Sequence, residues 1–583
     1  MDVLRIANCS GFYGDRLAAA REMVDGGPID VLTGDYLAEL TMALLWRART
    51  KDANAGYAST FLRQMEEVMG TCLDRRIKVV VNAGGLNPAG LAERLSQLAD
   101  RLGLAPTIGF VDGDDLLERI PVLQEQGHAF RNLDTGVDLA GSGVQPVTAN
   151  AYLGCWGIVA GLEMGADVLV TGRVTDAALV IGPAAWHFGW SRDDWDRLAG
   201  ALVAGHIIEC GPQVTGGNYS FFREVPHLEH VGFPLVEIGE DGSFVVTKHP
   251  GTGGLVAVGT VTEQLLYESA GPRYLNPDVT ARFDTIRLTS DGTDRVRVQG
   301  VRGEPGPPEL KVAINHLGGF RNSVTFVVTG LDIEEKAVQV ESALWARLGG
   351  REQFGDSHVR LSRTDRPDAS TNDEASAFLR VTVKDPDAGK VGRAFSRAAV
   401  ELALASYPGF HLTAPPGDAN PYAVYWPALV PTDLITQRVV VGGAVHTITT
   451  RPGAPFDTEI PEPHIAAPAD EPTVTAPLGT VAGARSGDKG GNANVGLWTP
   501  DPAAFPWLVF HLTVERLRLL VPEAAELTID RFVLPNLNAI NFVIHGLLGE
   551  GVSSSVRSDP QAKSLGEWLR SRLVDIPRSL ISV

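Results

Sequence analysis

The feature that most constrains this chain is a unit that recurs through its first third: a short β-branched run, a polar turn carrying glycine, then a helical stretch. Val3-Leu4-Arg5-Ile6-Ala7 leads into Gly11 to Asp15 and a helical pattern from Arg16 to about Asp25. Ile29-Asp30-Val31-Leu32 leads into Thr33-Gly34-Asp35-Tyr36-Leu37-Ala38-Glu39, where Asp35 is placed to cap the next helix. Lys78-Val79-Val80-Val81 leads into Asn82-Ala83-Gly84-Gly85-Leu86-Asn87-Pro88 and another helix, and Pro106 to Val111 ends in Asp112-Gly113-Asp114-Asp115. Val168-Leu169-Val170 turns at Thr171-Gly172-Arg173 before a helix beginning at Thr175 or Asp176. Strands that alternate with helices form a parallel sheet covered on its faces. The predicted fold class is therefore α/β, a large N-terminal domain on a mostly parallel sheet with a small C-terminal α+β domain. No turn reads G-x-G-x-x-G, so a nicotinamide or flavin dinucleotide is not supported.

Such sheets bind ligands beyond the carboxyl ends of their strands. Asp35, Asn82, Gly84, Gly85, Arg173 and Asp176 fall there. Arg173, beside a helix N-terminus, either holds an anion or pairs with Asp176 to brace the turn, and the sequence leaves both open. In the next segment, His206 and Glu209 share one helix face at a spacing of i,i+3 and are candidates for proton transfer. No third metal-type ligand adjoins them. Cys210 has no positioned base in the sequence, so a buried structural thiol is its default reading. Gly216, Gly217 and Asn218 form a turn that resembles a ligand-facing loop.

From about 235 to 445 the pattern becomes β-rich, with strands at Phe244 to Lys248 and Thr325 to Thr329 and a helix over Val391 to Ser406. His316, in this part, is as well explained by a core position as by a functional one. Five prolines between Pro455 and Pro472 mark residues 452–477 as a semi-extended linker. The domains are thus 1–451, the linker, and 478–583. The last block contains a polar stretch, Arg485 to Gly496, read as a loop joining two strands, then a helix from Val514 to Leu520, a strand from Thr528 to Leu534 and a helix from Ser564 to Leu573. In that loop Asp488 offers an acid or metal ligand and Lys489 a cation, while Gly490, Gly491, Asn492 and Asn494 can turn N–H groups toward an anion. The alternative is an ordinary glycine hairpin with its charges in water. It is not a Walker loop, because the lysine precedes the glycines and a strand follows.

A net charge of −20 argues against nucleic acid and anionic membrane as partners, because both draw on a basic surface. A small anionic substrate would need a local basic pocket. The four cysteines, Cys9, Cys72, Cys155 and Cys210, form no CxxC pair, which fits reduced thiols. Asp2 and Arg5 interrupt any signal-type apolar core and no apolar run has membrane-spanning length, so a cytoplasmic location is expected. Without a G-x-S-x-G elbow a hydrolase is disfavoured.

At the motifs Thr33 to Glu39, Asn82 to Pro88, Thr171 to Asp176, Glu209-Cys210-Gly211 with Thr215 to Asn218, and Ser486 to Gly496, the chain resembles the acyclic terpene utilisation family, the AtuA-like proteins. The resemblance implies that the small C-terminal domain is ferredoxin-like. It also implies a setting in which acyclic isoprenoids and branched acids are degraded as coenzyme A thioesters. With the acid and base groups above, the expected activity is that of a hydratase, dehydratase or carbon–carbon lyase acting on an acyl-CoA or related small acid. Asp488, Lys489, Glu209 and His206 are the candidate catalytic residues, and the strand-end and glycine-loop residues bind substrate. No cofactor is expected beyond coenzyme A as part of the substrate, although carboxylates at strand ends allow magnesium. A homo-oligomer is compatible with this reading. The alternative is a non-catalytic subunit that binds a CoA ester or a partner carboxylase.

Overall fold

The computed structural model describes residues 3–455 and 459–581, leaving aside the side chain of Glu39. Asp2, and residues 456–458 of the expected linker, lie outside the described residues.

The recurring unit forms the centre of an eleven-stranded sheet. Strands Val3–Asn8, Val31–Gly34, Lys78–Val81, Val168–Thr171 and Ile108–Asp112 lie side by side in that order, all parallel. Antiparallel strands extend both edges: Pro234–Gly239, Phe244–Lys248, Val296–Gln299 and Arg287–Ser290 on one side, Thr436–Val441 and Ala444–Thr449 on the other. The sheet is thus mixed, because its flanks are recruited from distant hairpins that the local strand–helix alternation does not register.

Alternate residues of the central strands enter different cores, as a period of two requires. Ile6, Val31, Val80 and Leu169 pack on one face. Ala7, Leu32, Val79, Val81, Val168 and Val170 pack on the other. Burial on both faces explains why these strands read as unbroken apolar runs. Helices Ala178–Phe188 and Trp195–Ile208 are apolar around most of their circumference and are buried accordingly.

Helix starts depart from expectation by two or three residues. The first helix is Ala19–Gly26. Asp35 does not cap the helix Glu39–Lys51, whose boundary residue is Ala38; its carboxylate accepts instead from the Leu37 N–H and from Asn82. The helix after Arg173 is Ala178–Phe188, so neither Thr175 nor Asp176 opens it. Asn87 does cap Pro88–Leu102, accepting from the Gly90 N–H at 2.9 Å.

Two compact units share the chain. The second comprises 316–424 and 553–558. In it, the part of strand Glu309–Thr329 beyond Asn315 pairs with Ser376–Asp385, which pairs in turn with Asp356–Ser362. Helix Ile333–Leu348 shares their core with Val324, Phe326 and Leu379. The helix expected over Val391 to Ser406 is only a π turn, Lys390–Ala394, and a short α-helix, Phe395–Val400, because Gly392 leaves helical φ/ψ. His316 is partly buried, with Nδ1 3.3 Å from the Leu317 carbonyl.

The C-terminal block belongs to the first unit. Strands Gly483–Lys489, Asn492–Trp498, Ala539–Ile544 and Ile529–Leu534 form a four-stranded antiparallel sheet in that order. Helices Phe505–His511, Val514–Leu520 and Leu565–Ser571 share its core. The stretch expected to be a loop is almost entirely paired strand, with Lys489 opposite Asn492 and only Gly490-Gly491 between them. Within the expected linker, Thr473–Pro477 is a strand paired with Leu573–Pro577, whereas 459–472 carries no helix or strand. Trp498, Leu534, Leu537 and Ala539 enter the core of the central sheet, so the two domains are packed through shared apolar surface.

Candidate functional site

The parallel strands deliver polar groups at their carboxyl ends, as their register requires. Asp35 follows Val31–Gly34, Asn82 follows Lys78–Val81 and Arg173 follows Val168–Thr171; all three are buried. Asn82 Nδ2 donates to the Asp35 carboxylate, and its Oδ1 accepts from the Tyr36 N–H at 2.7 Å. Arg173 Nη1 donates to the Leu37 carbonyl at 2.6 Å and to Asp176 Oδ1 at 2.9 Å, and the guanidinium lies 4.2 Å from the Tyr152 ring centroid. Of the two readings of Arg173, the structure therefore contains the internal pair. Burial opposes the guanidinium charge, but Asp176, Tyr152 and Asp35 outweigh it and hold Arg173 protonated. Burial, with the Asp176 charge, pushes the Asp35 carboxyl well above the usual range, against the pull of Arg173 and Asn82.

Gly84 and Gly85 serve packing at this edge. A Cβ on Gly84 would lie 2.5 Å from the Thr171 carbonyl oxygen, and Gly85 has φ +52° with Leu45 against it. Asp114, in the turn after Ile108–Asp112 but not among the candidate site residues, accepts from the Arg173 N–H at 2.9 Å and from Asn150 Nδ2 at 2.8 Å. Burial pushes its carboxyl up to about 7.

The end of helix Trp195–Ile208 brings His206 and Glu209 to the same region. Asn8 fixes this terminus by donating to the Ile208 and Glu209 carbonyls. His206 is fully buried against Tyr274 and Phe283, at 4.8 and 5.7 Å between ring centroids. Its Nδ1 is 3.4 Å from Glu209 Oε1, an electrostatic approach and not a well-formed hydrogen bond. Burial holds the imidazole down at about 4, so it is neutral at pH 7. Glu209 moves the other way. Burial first, then the charges of Asp176 and Glu268, raise it well above the carboxylate range, against Arg173 and Lys489. The Cys210 thiol is raised by burial and by Glu209 and Glu268, which disqualifies it as a thiolate nucleophile.

The hairpin of the C-terminal sheet closes over these groups. Lys489 Nζ donates to the Glu268 carbonyl at 2.9 Å. Asn494 Oδ1 accepts from the Glu268 N–H at 2.8 Å, while its Nδ2 donates to Asn541. Asp488, on the next position of the strand, lies 3.9 Å from Lys563 Nζ. Lys563 and Arg485 stand over the Tyr267 ring at 4.4 and 4.8 Å. Arg485 also donates to Gln213 and to the Asn218 carbonyl at 3.3 Å.

The structure thus joins Asp35, Asn82, Arg173, Asp176, His206, Glu209 and Lys489 in one electrostatic neighbourhood and adds Glu268, which no sequence motif indicated. Asn494 touches it through the Glu268 backbone. The hairpin turn is engaged elsewhere: Asn492 Nδ2 donates to Asp134 at 2.8 Å, and the Gly491 N–H approaches the same carboxylate at 3.4 Å. Gly490 takes φ +64°. The Gly216, Gly217 and Asn218 turn is packed, with the Gly217 N–H donating to the Pro212 carbonyl at 2.9 Å and Gly216 against Val225. Among the described residues, no group of three or more His, Cys, Asp or Glu side chains is arranged to hold a metal ion, and no helix is long and apolar enough to cross a membrane.

Fold and site together define an α/β protein whose strand-end acids are covered by a hairpin from a ferredoxin-like domain. The chain belongs to the acyclic terpene utilisation family: residues 4–441 match the acyclic terpene utilisation family protein AtuA, and residues 476–575 match the AtuA ferredoxin-like domain. No curated protein and no solved structure matches it.

Proposed function

We propose that this chain is an enzyme of acyclic terpene and branched-acid catabolism that performs acid–base chemistry on an acyl-CoA or related small acid, as a hydratase, dehydratase or lyase. The observation that carries the reading is Glu209, a buried carboxylic acid raised by desolvation beside the Arg173 and Lys489 charges. Such a group holds its proton more tightly than an ordinary carboxylic acid and can donate it, or a hydrogen bond, to an oxygen on which charge develops. His206, neutral and adjacent, lies with Nδ1 3.4 Å from its Oε1. Lys489, Lys563 and Arg485 supply local positive charge in a chain of net charge −20, as an anionic substrate requires.

The test is product analysis by mass spectrometry of the full chain with a panel of branched acyl-CoAs and their free acids. Turnover that falls at least about a hundredfold in Glu209→Gln supports the reading. Ligand retained unchanged supports the alternative, a non-catalytic subunit that binds a CoA ester or a partner carboxylase.

A further inference from the structure

We infer that the second unit carries a binding site for a small phosphate-bearing ligand, on the face of its sheet turned away from its core, where Arg360 and Arg380 hold the phosphate between them. It needs nothing from the acid–base chemistry proposed above.

The strand register decides which side chains share that face. Along the first ladder Arg321 stands opposite Lys384, Ser323 opposite Thr382 and Thr325 opposite Arg380. Along the second, His358 stands opposite Thr382 and Arg360 opposite Arg380. Side chains alternate with a period of two, so all of these lie on one face. The other face holds the core, where Val324, Phe326, Leu379, Val381 and Val383 pack with helix Ile333–Leu348. Four cations therefore occupy one face in two directly opposed pairs, although acidic residues outnumber basic ones 70 to 50 in the chain. Directly opposed residues have Cβ atoms about 5 Å apart, and like charges there are destabilising.

One pair is engaged within the unit. Lys384 is nearly buried, with Nζ 5.0 Å from the Tyr422 ring centroid, and Arg321 donates to the Ser553 and Ser555 carbonyls at 2.9 and 3.1 Å. The other pair, Arg360 and Arg380, is exposed. Arg360 Nη1 donates to Ser558 Oγ at 2.9 Å, and among the described residues no carboxylate lies within ion-pair distance of either guanidinium. Asp356, which the register also places on this face, lies 2.8 Å from His358 Nε2. Burial, and then the charge of Arg380, lower the pKa of Arg321, so the repulsion extends across the strands.

A phosphate relieves this opposition. Its oxygens accept from two guanidinium forks at once and its double charge offsets both, whereas a carboxylate has two oxygens and one charge, enough for a single fork. Phe378 is partly buried on the same face, about 7 Å along the strand from Arg380. Its ring offers a nucleotide base a surface to stack on.

The experiment is titration calorimetry of the full chain with inorganic pyrophosphate and with ADP, in wild type, R360Q, R380Q and R347Q, with thermal unfolding of each. Arg347 is exposed on helix Ile333–Leu348 and removes the same charge elsewhere. R360Q and R380Q are each expected to weaken binding at least about tenfold. Both should unfold at or above the wild-type temperature, because a like-charge pair is gone. R347Q should bind as wild type does. ADP held more tightly than pyrophosphate identifies a nucleotide with its base on Phe378, and equal binding identifies the phosphate groups alone. If R380Q does not fold, R360Q decides. No binding of either anion at about 1 mM, wild-type affinity in the folded variants, or equal weakening in R347Q overturns the site.

Discussion

Glu263 lies buried beneath the C-terminal hairpin, where its carboxyl accepts from the Ser220 N–H and from Trp498 Nε1, each at 3.1 Å. Burial pushes it from its ordinary 4.5 up to about 7. The folded state therefore binds this proton more tightly than the unfolded chain. The stabilisation is complete below about pH 4.5 and is lost as pH rises through about 7. Glu263→Gln should remove this dependence, gaining on wild type between pH 5 and pH 8 by on the order of 3 kcal/mol at most. Urea unfolding at the two pH values measures it. Cysteine gives a second expectation at this scale. Burial raises the thiols of Cys9, Cys72, Cys155 and Cys210, so iodoacetamide at neutral pH should label none of them in the native chain and all four in denaturant, as read by intact mass.

The loop after strand Lys78–Val81 shows how an element can look like a ligand cradle and be a packing device. At Gly84 even one methyl group would meet the Thr171 carbonyl oxygen of the neighbouring strand at 2.5 Å and Pro88 at 2.6 Å. Gly84→Ala should destabilise the fold by about 1–3 kcal/mol, read as a lowered midpoint in thermal unfolding. The strands themselves were legible. Lys78–Val81, Phe244–Lys248 and helix Val514–Leu520 stand where their apolar pattern puts them. Helix starts were less so, because Asp35 spends its carboxylate on Asn82, 47 positions away, and not on the helix that follows it.

Across the whole molecule, the two family-matched domains are held by Trp498, Leu534, Leu537 and Ala539 entering the core of the central sheet, besides the polar clamp on Glu268. The stretch 459–472 is mostly exposed, with Ile465 packed on the C-terminal core and Glu462 3.2 Å from Arg531, and is not the main source of their association. A protease that cuts beside Glu471 should leave two fragments that co-elute on size exclusion, whereas domains joined only by this stretch would separate. The net charge of −20 also acts at this scale. Self-repulsion among exposed acids is screened as salt rises, so the unfolding midpoint should increase between about 0.02 and 0.2 M NaCl.

The sequence by itself determined the central strands, the strand-end position of Asp35, Asn82 and Arg173, and the i,i+3 pairing of His206 with Glu209, because each follows from a local period or a short spacing. The antiparallel flanks, the inward use of Arg173 and the raised proton affinity of Glu209 were decided only by the tertiary structure. Glu268 is the clearest case. Nothing in Tyr267-Glu268-Ser269 marks a left-handed residue, and the group that binds its N–H lies 226 positions downstream. Desolvation and long-range hydrogen bonding are properties of the surroundings, and a sequence states its surroundings only once it has folded.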